Sequence, residues 1–198
     1  GNIFRGNLGS QWGIERAEAD NIGMMGTIVN SLMLRGVITG RSEGAVEVRV
    51  MTAIPVNSVA EPYIRLRAAH HMEKGYVVIF AGGTGQPYVT TDYTAAQRAL
   101  ETRSEALLYA KNQARGIFTA DPQTDPQARL YRRMNYNTIL RQNLKVVDLP
   151  SVILARDNEL PIHVFDFDEK GTIRRICEGE DIGTLVCDKD GDILEGDE

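Results

Sequence analysis

Apolar residues recur at helical spacing between residues 18 and 38, at Ile22, Met25, Val29, Leu32 and Met33, and predict one long amphipathic helix. Residues 46–53 alternate apolar and polar positions and read as a strand. Residues 61–72 read as a second helix, with Pro62 in its first turn, where a missing N–H costs little. Residues 76–81 (YVVIFA) form an unbroken β-branched and aromatic run, which suits a parallel strand covered on both faces. Further helices are predicted over 91–101 and 147–157, and short apolar strands over 106–110 and 162–165. Short apolar strands alternating with helices define an α/β fold with a mainly parallel sheet.

No repeat, low-complexity tract or Pro/Ser-rich linker divides the 198 residues, so a single domain over 1–187 and an acidic, solvated tail over 188–198 are expected. The net charge of -5 argues against broad nucleic-acid binding, which needs a basic face to displace phosphate counterions. The longest apolar runs are too short to span a bilayer, so no membrane partner is expected. Cys177 and Cys187 lie outside any CxxC pattern and read as reduced thiols of a cytoplasmic protein. The chain opens on Gly1 rather than Met, which suggests that sequence precedes it.

The strongest local signal is residues 80–92, FAGGTGQPYVTTD. A buried strand runs into glycines that let the backbone approach a ligand, then into a helix start whose free N–H groups suit an anion. A tight strand-to-helix turn with a Thr/Asp cap explains the same residues. A Walker A loop is excluded, because no GK[ST] follows the glycines. Residues 1–6 (GNIFRG) bracket Arg5 with glycines and could bind phosphate. Residues 116–122 (GIFTADP), preceded by Asn112, could hold a purine and a ribose, although a turn stopped by Pro122 is the simpler reading. His70 and His71 are adjacent on a helix and face different sides, so no metal pair is expected from them. Residues 188–192 (DKDGD) hold their glycine too early for an EF-hand loop and read as an acidic turn.

Taken in order, these blocks resemble those of bacterial UMP kinases, of the amino-acid-kinase family. The resembling blocks include residues 18–32 (EADNIGMMGTIVNSL), 144–165 (LKVVDLPSVILARDNELPIHVF) and 179–186 (GEDIGTLV). The resemblance implies a three-layer αβα sandwich and transfer of the ATP γ-phosphate to UMP, giving UDP for pyrimidine nucleotide synthesis. It implies that Gly1, Asp20, Thr84, Gly85, Gln86, Pro87, Tyr88, Val89, Thr90 and Thr91 bind UMP, with Asp20 on the ribose hydroxyls. Gly1, Asn2, Arg5, Asn112, Phe118 and Asp121 match the ATP site, and Asp148 and Arg5 match the catalytic centre. Mg²⁺ would arrive with ATP, held mostly by phosphates. GTP or UTP as effectors and a homohexamer built from dimers are also implied. Arg35 and Arg49 match the effector site, whereas Thr39 stands where some members carry His, at the start of a longer loop over 39–45.

Two departures stand out. The family's first strand, with its Lys-Leu-Ser-Gly-Glu turn, would lie upstream of Gly1. The family reads Val-Asp-Gly where this chain reads Ala114, Arg115 and Gly116. At about 5 Å and an effective dielectric near 20 a unit charge is worth roughly 3 kcal/mol, so reversing it amounts to about 6 kcal/mol before solvent screening. Arg115 is accordingly expected to strengthen ATP binding or disturb the catalytic centre; the plainer reading is that it turns to solvent or pairs with a carboxylate elsewhere. The alternative is a paralogue that has lost catalysis and binds nucleotides as a regulator.

Overall fold

The computed structural model describes residues 9, 11–112, 114–142, 144, 146–188 and 191–197. The chain divides into two units, residues 1–94 and 95–198.

In the first unit helix α1 (Arg16–Arg41) leads to β1 (Val48–Thr52), β2 (Glu61–Pro62), α2 (Arg65–Glu73) and β3 (Val77–Ala81). The three strands form a parallel sheet in the order β2-β1-β3, with Met51 opposite Glu61 and Phe80. Helix α1 packs Ile28 and Leu32 with Val50, Ala60, Ala81, Ile54 and Ile79, and this cluster is the unit's core. By length and composition α1 meets the test for a membrane span, at 26 residues and a mean hydropathy of 1.3 over its most apolar window. Its Ile28 face is nevertheless part of that core, and it carries Arg16, Asp20, Arg35 and Arg41.

Three sequence expectations change here. Residues 61–62 are a strand, and α2 begins only at Arg65. Pro62 lies on the outermost strand of the sheet, where a residue without an N–H interrupts no ladder. The apolar run of β3 is only partly covered, with Ala81 buried and Val77 40% exposed, because β3 has β1 as its one strand neighbour among the described residues. In addition, α1 runs on to Arg41, so Thr39 is helical rather than part of a loop.

Helix α3 (Thr91–Glu101) leads into the second unit, which continues through β4 (Leu107–Lys111), β5 (Tyr131–Met134), α4 (Tyr136–Gln142), α5 (Leu149–Asp157), β6 (Ile162–Asp166), α6 (Thr172–Cys177), β7 (Thr184–Val186) and β8 (Ile193–Leu194). The sheet order is β4-β6-β7-β5-β8; β4 and β6 are parallel, as are β5 and β7, while β6–β7 and β5–β8 are antiparallel. Tyr136, Met134, Ile139, Val152, Ile162, Val164 and Val186 are fully buried and form its core. Tyr109 and Ser151 share a buried hydrogen bond of 2.6 Å, and the Tyr136 hydroxyl donates to the Leu160 carbonyl at 2.5 Å. Burial first, then the nearby acidic groups Cys187, Asp188 and Glu159, push the Tyr136 phenol above its ordinary value.

The acidic C-terminal segment is not a free extension. Ile193 and Leu194 pair with β5, and the Asp192 carboxylate accepts the Asn135 N–H at 2.8 Å and the Thr138 hydroxyl at 2.7 Å. The Glu195 carboxylate accepts from Arg132 at 2.6 Å. Its charge reads as solvated in the sequence because the basic partners lie more than fifty residues away.

Candidate nucleotide sites

The loop after β3 is shaped by its glycines. Gly82 adopts φ +75, and a Cβ there would lie 2.8 Å from the Thr52 hydroxyl oxygen, so only glycine fits without rearrangement. Gly85, at φ +79, brings the chain against the Ala53 carbonyl. The loop ends at Thr90, whose hydroxyl accepts the Tyr93 N–H at 3.1 Å and caps α3.

Helix α1 holds this loop at both ends. The Gly82 N–H donates to the Thr27 hydroxyl at 2.8 Å, and the Tyr88 N–H donates to Asp20 Oδ2 at 2.9 Å. Thr27 and Asp20 are about two helical turns apart and so share one face of α1. Arg16, one turn before Asp20, donates from Nε to both carboxylate oxygens at 3.0 Å, and its guanidinium lies 5.8 Å from the Tyr88 ring centre. Tyr88 itself has φ +66, a conformation that non-glycine residues rarely adopt and that recurs at ligand clamps. Asp20 and the 84–91 loop, far apart in sequence, therefore form one constellation.

In the second unit the expected ATP-site residues follow β4. Asn112 is exposed just past the strand. Residues 116–131 fold back on themselves: Phe118 bridges Leu130, and the Thr119 N–H donates to the Arg129 carbonyl at 2.9 Å. Gly116 and Ile117 are fixed by Thr184, whose hydroxyl accepts the Ile117 N–H at 2.8 Å. Phe118 is half-buried, whereas Asp121 is exposed, with Oδ1 accepting the Gln123 N–H at 2.9 Å in a local turn. Asp148 is the N-cap of α5, its Oδ1 accepting the Ser151 N–H at 3.1 Å. Gly1, Asn2 and Arg5 lie outside the described residues.

Arg115 is 68% exposed and stands 3.9 Å from the Glu195 carboxylate. That exposure changes the expected size of its effect. A solvated ion pair is worth at most about 1 kcal/mol, well below the unscreened 6 kcal/mol.

Arg16, Thr27 and Glu195 are absent from the sequence-derived set. Arg16 had a signal, since it sits one turn before Asp20, where opposite charges pair on a helix. Thr27 and Glu195 had none, because their partners are remote.

Residues 1–166 match the amino acid kinase family, and the chain belongs to that family. Several relatives are named for the same activity. The uridylate kinase of Frankia alni is 51% identical over 186 residues, covering 94% of this chain and 72% of the relative. The solved UMP kinase of Bacillus anthracis is 59% identical with a TM-score of 0.93, covering 98% of this chain and 78% of that one. The UMP kinase of Ureaplasma parvum is 35% identical with a TM-score of 0.88, covering 94% and 78% respectively.

Proposed function

We propose that the protein is a UMP kinase, which transfers the γ-phosphate of ATP to UMP and releases UDP and ADP. The observation that carries this reading is the meeting of the Asp20 carboxylate with Tyr88 of the TGQPYVTTD loop. An ionised carboxylate accepts hydrogen bonds from vicinal hydroxyls, which suits a ribose. The loop from Thr84 to Val89 encloses the uracil side, and the capped start of α3 at Thr90 and Thr91 offers N–H groups to the UMP phosphate.

ATP binds the second unit through Asn112, Phe118 and Asp121; Gly1, Asn2 and Arg5, which the resemblance also assigns to ATP, lie outside the described residues. In the reaction a UMP phosphate oxygen attacks the γ-phosphorus, the bond to the β–γ bridging oxygen breaks, and ADP leaves with that electron pair. Phosphoryl transfer of this kind needs positioning and charge neutralisation rather than a covalent enzyme group. The resemblance assigns charge neutralisation to Arg5, which lies outside the described residues, and orientation of phosphate-binding groups to Asp148. Among the described residues no three His, Cys, Asp or Glu side chains cluster as a cation site. By resemblance, Mg²⁺ would arrive with ATP, held mostly by the phosphates, and would offset their charge.

An outward stripe on α1, Met25, Val29, Met33 and Val37, exposed by 43, 48, 65 and 54%, supports assembly with further copies into a homo-oligomer, a hexamer by family resemblance. Arg35 and Arg49 line a cavity of about 390 Å³ with Val59 and Glu61, where a GTP effector would bind.

Incubation with UMP and MgATP should yield UDP and ADP in equal amounts. ADP without UDP, or no turnover at all, contradicts the assignment.

A further inference from the structure

We infer that Arg16 is a positioning residue for the Asp20 carboxylate and thereby a determinant of the preference for ribonucleotide over deoxyribonucleotide. The inference rests on the reading of Asp20 as the group that takes the ribose hydroxyls.

The terminal torsion of an aspartate is broad, so an unrestrained carboxylate turns about its own axis. Arg16 Nε lies 3.0 Å from both Asp20 oxygens, which fixes the plane of the carboxylate. The Tyr88 N–H then takes Oδ2 at 2.9 Å. Oδ1 is left with only its share of the Arg16 bond among the described residues, and is the oxygen open to a ribose hydroxyl. The guanidinium's place 5.8 Å from the Tyr88 ring closes a triangle of Arg16, Asp20 and Tyr88.

The triangle is half solvated rather than a buried structural pair. The Arg16 side chain is 61% exposed and that of Asp20 20% exposed, and an exposed pair one helical turn apart adds little to stability. Its geometry instead presents one carboxylate oxygen beside a loop held at φ +66 by the same carboxylate. Preorganisation of this kind acts on affinity, because the bound orientation is fixed before the ligand arrives. Lysine at position 16 would keep the charge without the planar guanidinium, so it restores attraction but not the fixed plane.

The test is calorimetric titration of UMP and dUMP into the wild type, Arg16→Gln, Arg16→Lys and Asp20→Asn proteins, with thermal unfolding of each. Arg16→Gln should weaken UMP about tenfold and dUMP less than threefold, with the melting temperature nearly unchanged and Arg16→Lys intermediate. If Arg16→Gln weakens both nucleotides equally, or leaves UMP unchanged while Asp20→Asn weakens it, the positioning role is overturned and the ribose reading stands. If Asp20→Asn itself leaves UMP affinity unchanged, the ribose reading has failed and the role of Arg16 falls with it.

Discussion

The Tyr88 N–H donates to Asp20 Oδ2 at 2.9 Å, joining positions 68 residues apart. One is a helical carboxylate and the other sits in a glycine loop at φ +66, so the contact joins two segments remote in sequence into one constellation. A ligand that needs the same carboxylate must exchange with the Tyr88 N–H or share Oδ1, which couples loop position to binding.

Asp20→Ala should weaken UMP by roughly ten- to a hundred-fold, since hydrogen bonds to a charged acceptor are worth about 1.5–3 kcal/mol. ATP affinity should hardly move. Asp121→Ala should do the reverse. Titration of both variants with both nucleotides decides it, and equal losses for both ligands in either variant would remove the division of labour.

Gly82→Ala should destabilise the fold by about 2 kcal/mol and weaken UMP as well. A side chain at φ +75 costs about 1–2 kcal/mol, and the new Cβ meets the Thr52 oxygen at 2.8 Å. Thr52 cannot simply swing aside, because its hydroxyl is bonded to both the carbonyl and the N–H of Ile54. Denaturant unfolding gives the stability; an unchanged midpoint would mean that the turn is not glycine-dependent.

Arg115→Asp should lower ATP affinity less than tenfold and leave UMP affinity unchanged. The guanidinium is 68% exposed and within 3.9 Å of Glu195, so solvent and that carboxylate already screen it. A hundredfold loss would mean that Arg115 contacts the bound phosphates directly. No change in ATP affinity or turnover would reduce it to a surface charge.

Alkaline unfolding should track Tyr136. Its phenol ionises above the ordinary value of 10.0 in the folded protein, while the unfolded chain loses that proton near 10. Stability from this group is therefore complete below about pH 10 and falls by roughly 1.4 kcal/mol per pH unit above it, until the folded-state value is reached. Tyr136→Phe should lose about 1 kcal/mol at neutral pH, from the bond to Leu160, and show a flatter decline above pH 10. An equally steep decline in the variant would assign the effect to other groups.

The apolar pattern was sufficient to place α1, β3 and α3, although β3 buries only Ala81 fully rather than the whole run on both faces. It was not sufficient for β2, β5, β7 and β8, which are short and take their conformation from strands already in place. Pro62 illustrates the limit: proline suits a helix start and an edge strand alike, and only the sheet order separates them. The acidic tail illustrates another, since Asp192, Glu195 and Asp197 find Thr138, Arg132 and Arg129 only through the fold. In the candidate site the glycine loop and Asp20 were each legible as motifs. Their contact was not, and Arg16 drew no notice because a basic residue beside an acidic one on an exposed helix is ordinary.

The most direct measurement is turnover of a panel of nucleoside monophosphates, UMP, CMP, AMP and dTMP, with MgATP, for the wild type and for Asp20→Ala. The wild type should favour UMP over every other member in kcat/KM, and Asp20→Ala should raise KM for UMP roughly ten- to a hundred-fold and lose most of the discrimination against the deoxyribonucleotide, while the preference over CMP and AMP, carried by the loop, remains. CMP or AMP turned over as well as UMP, or an Asp20→Ala protein with an unchanged KM for UMP, would contradict the account.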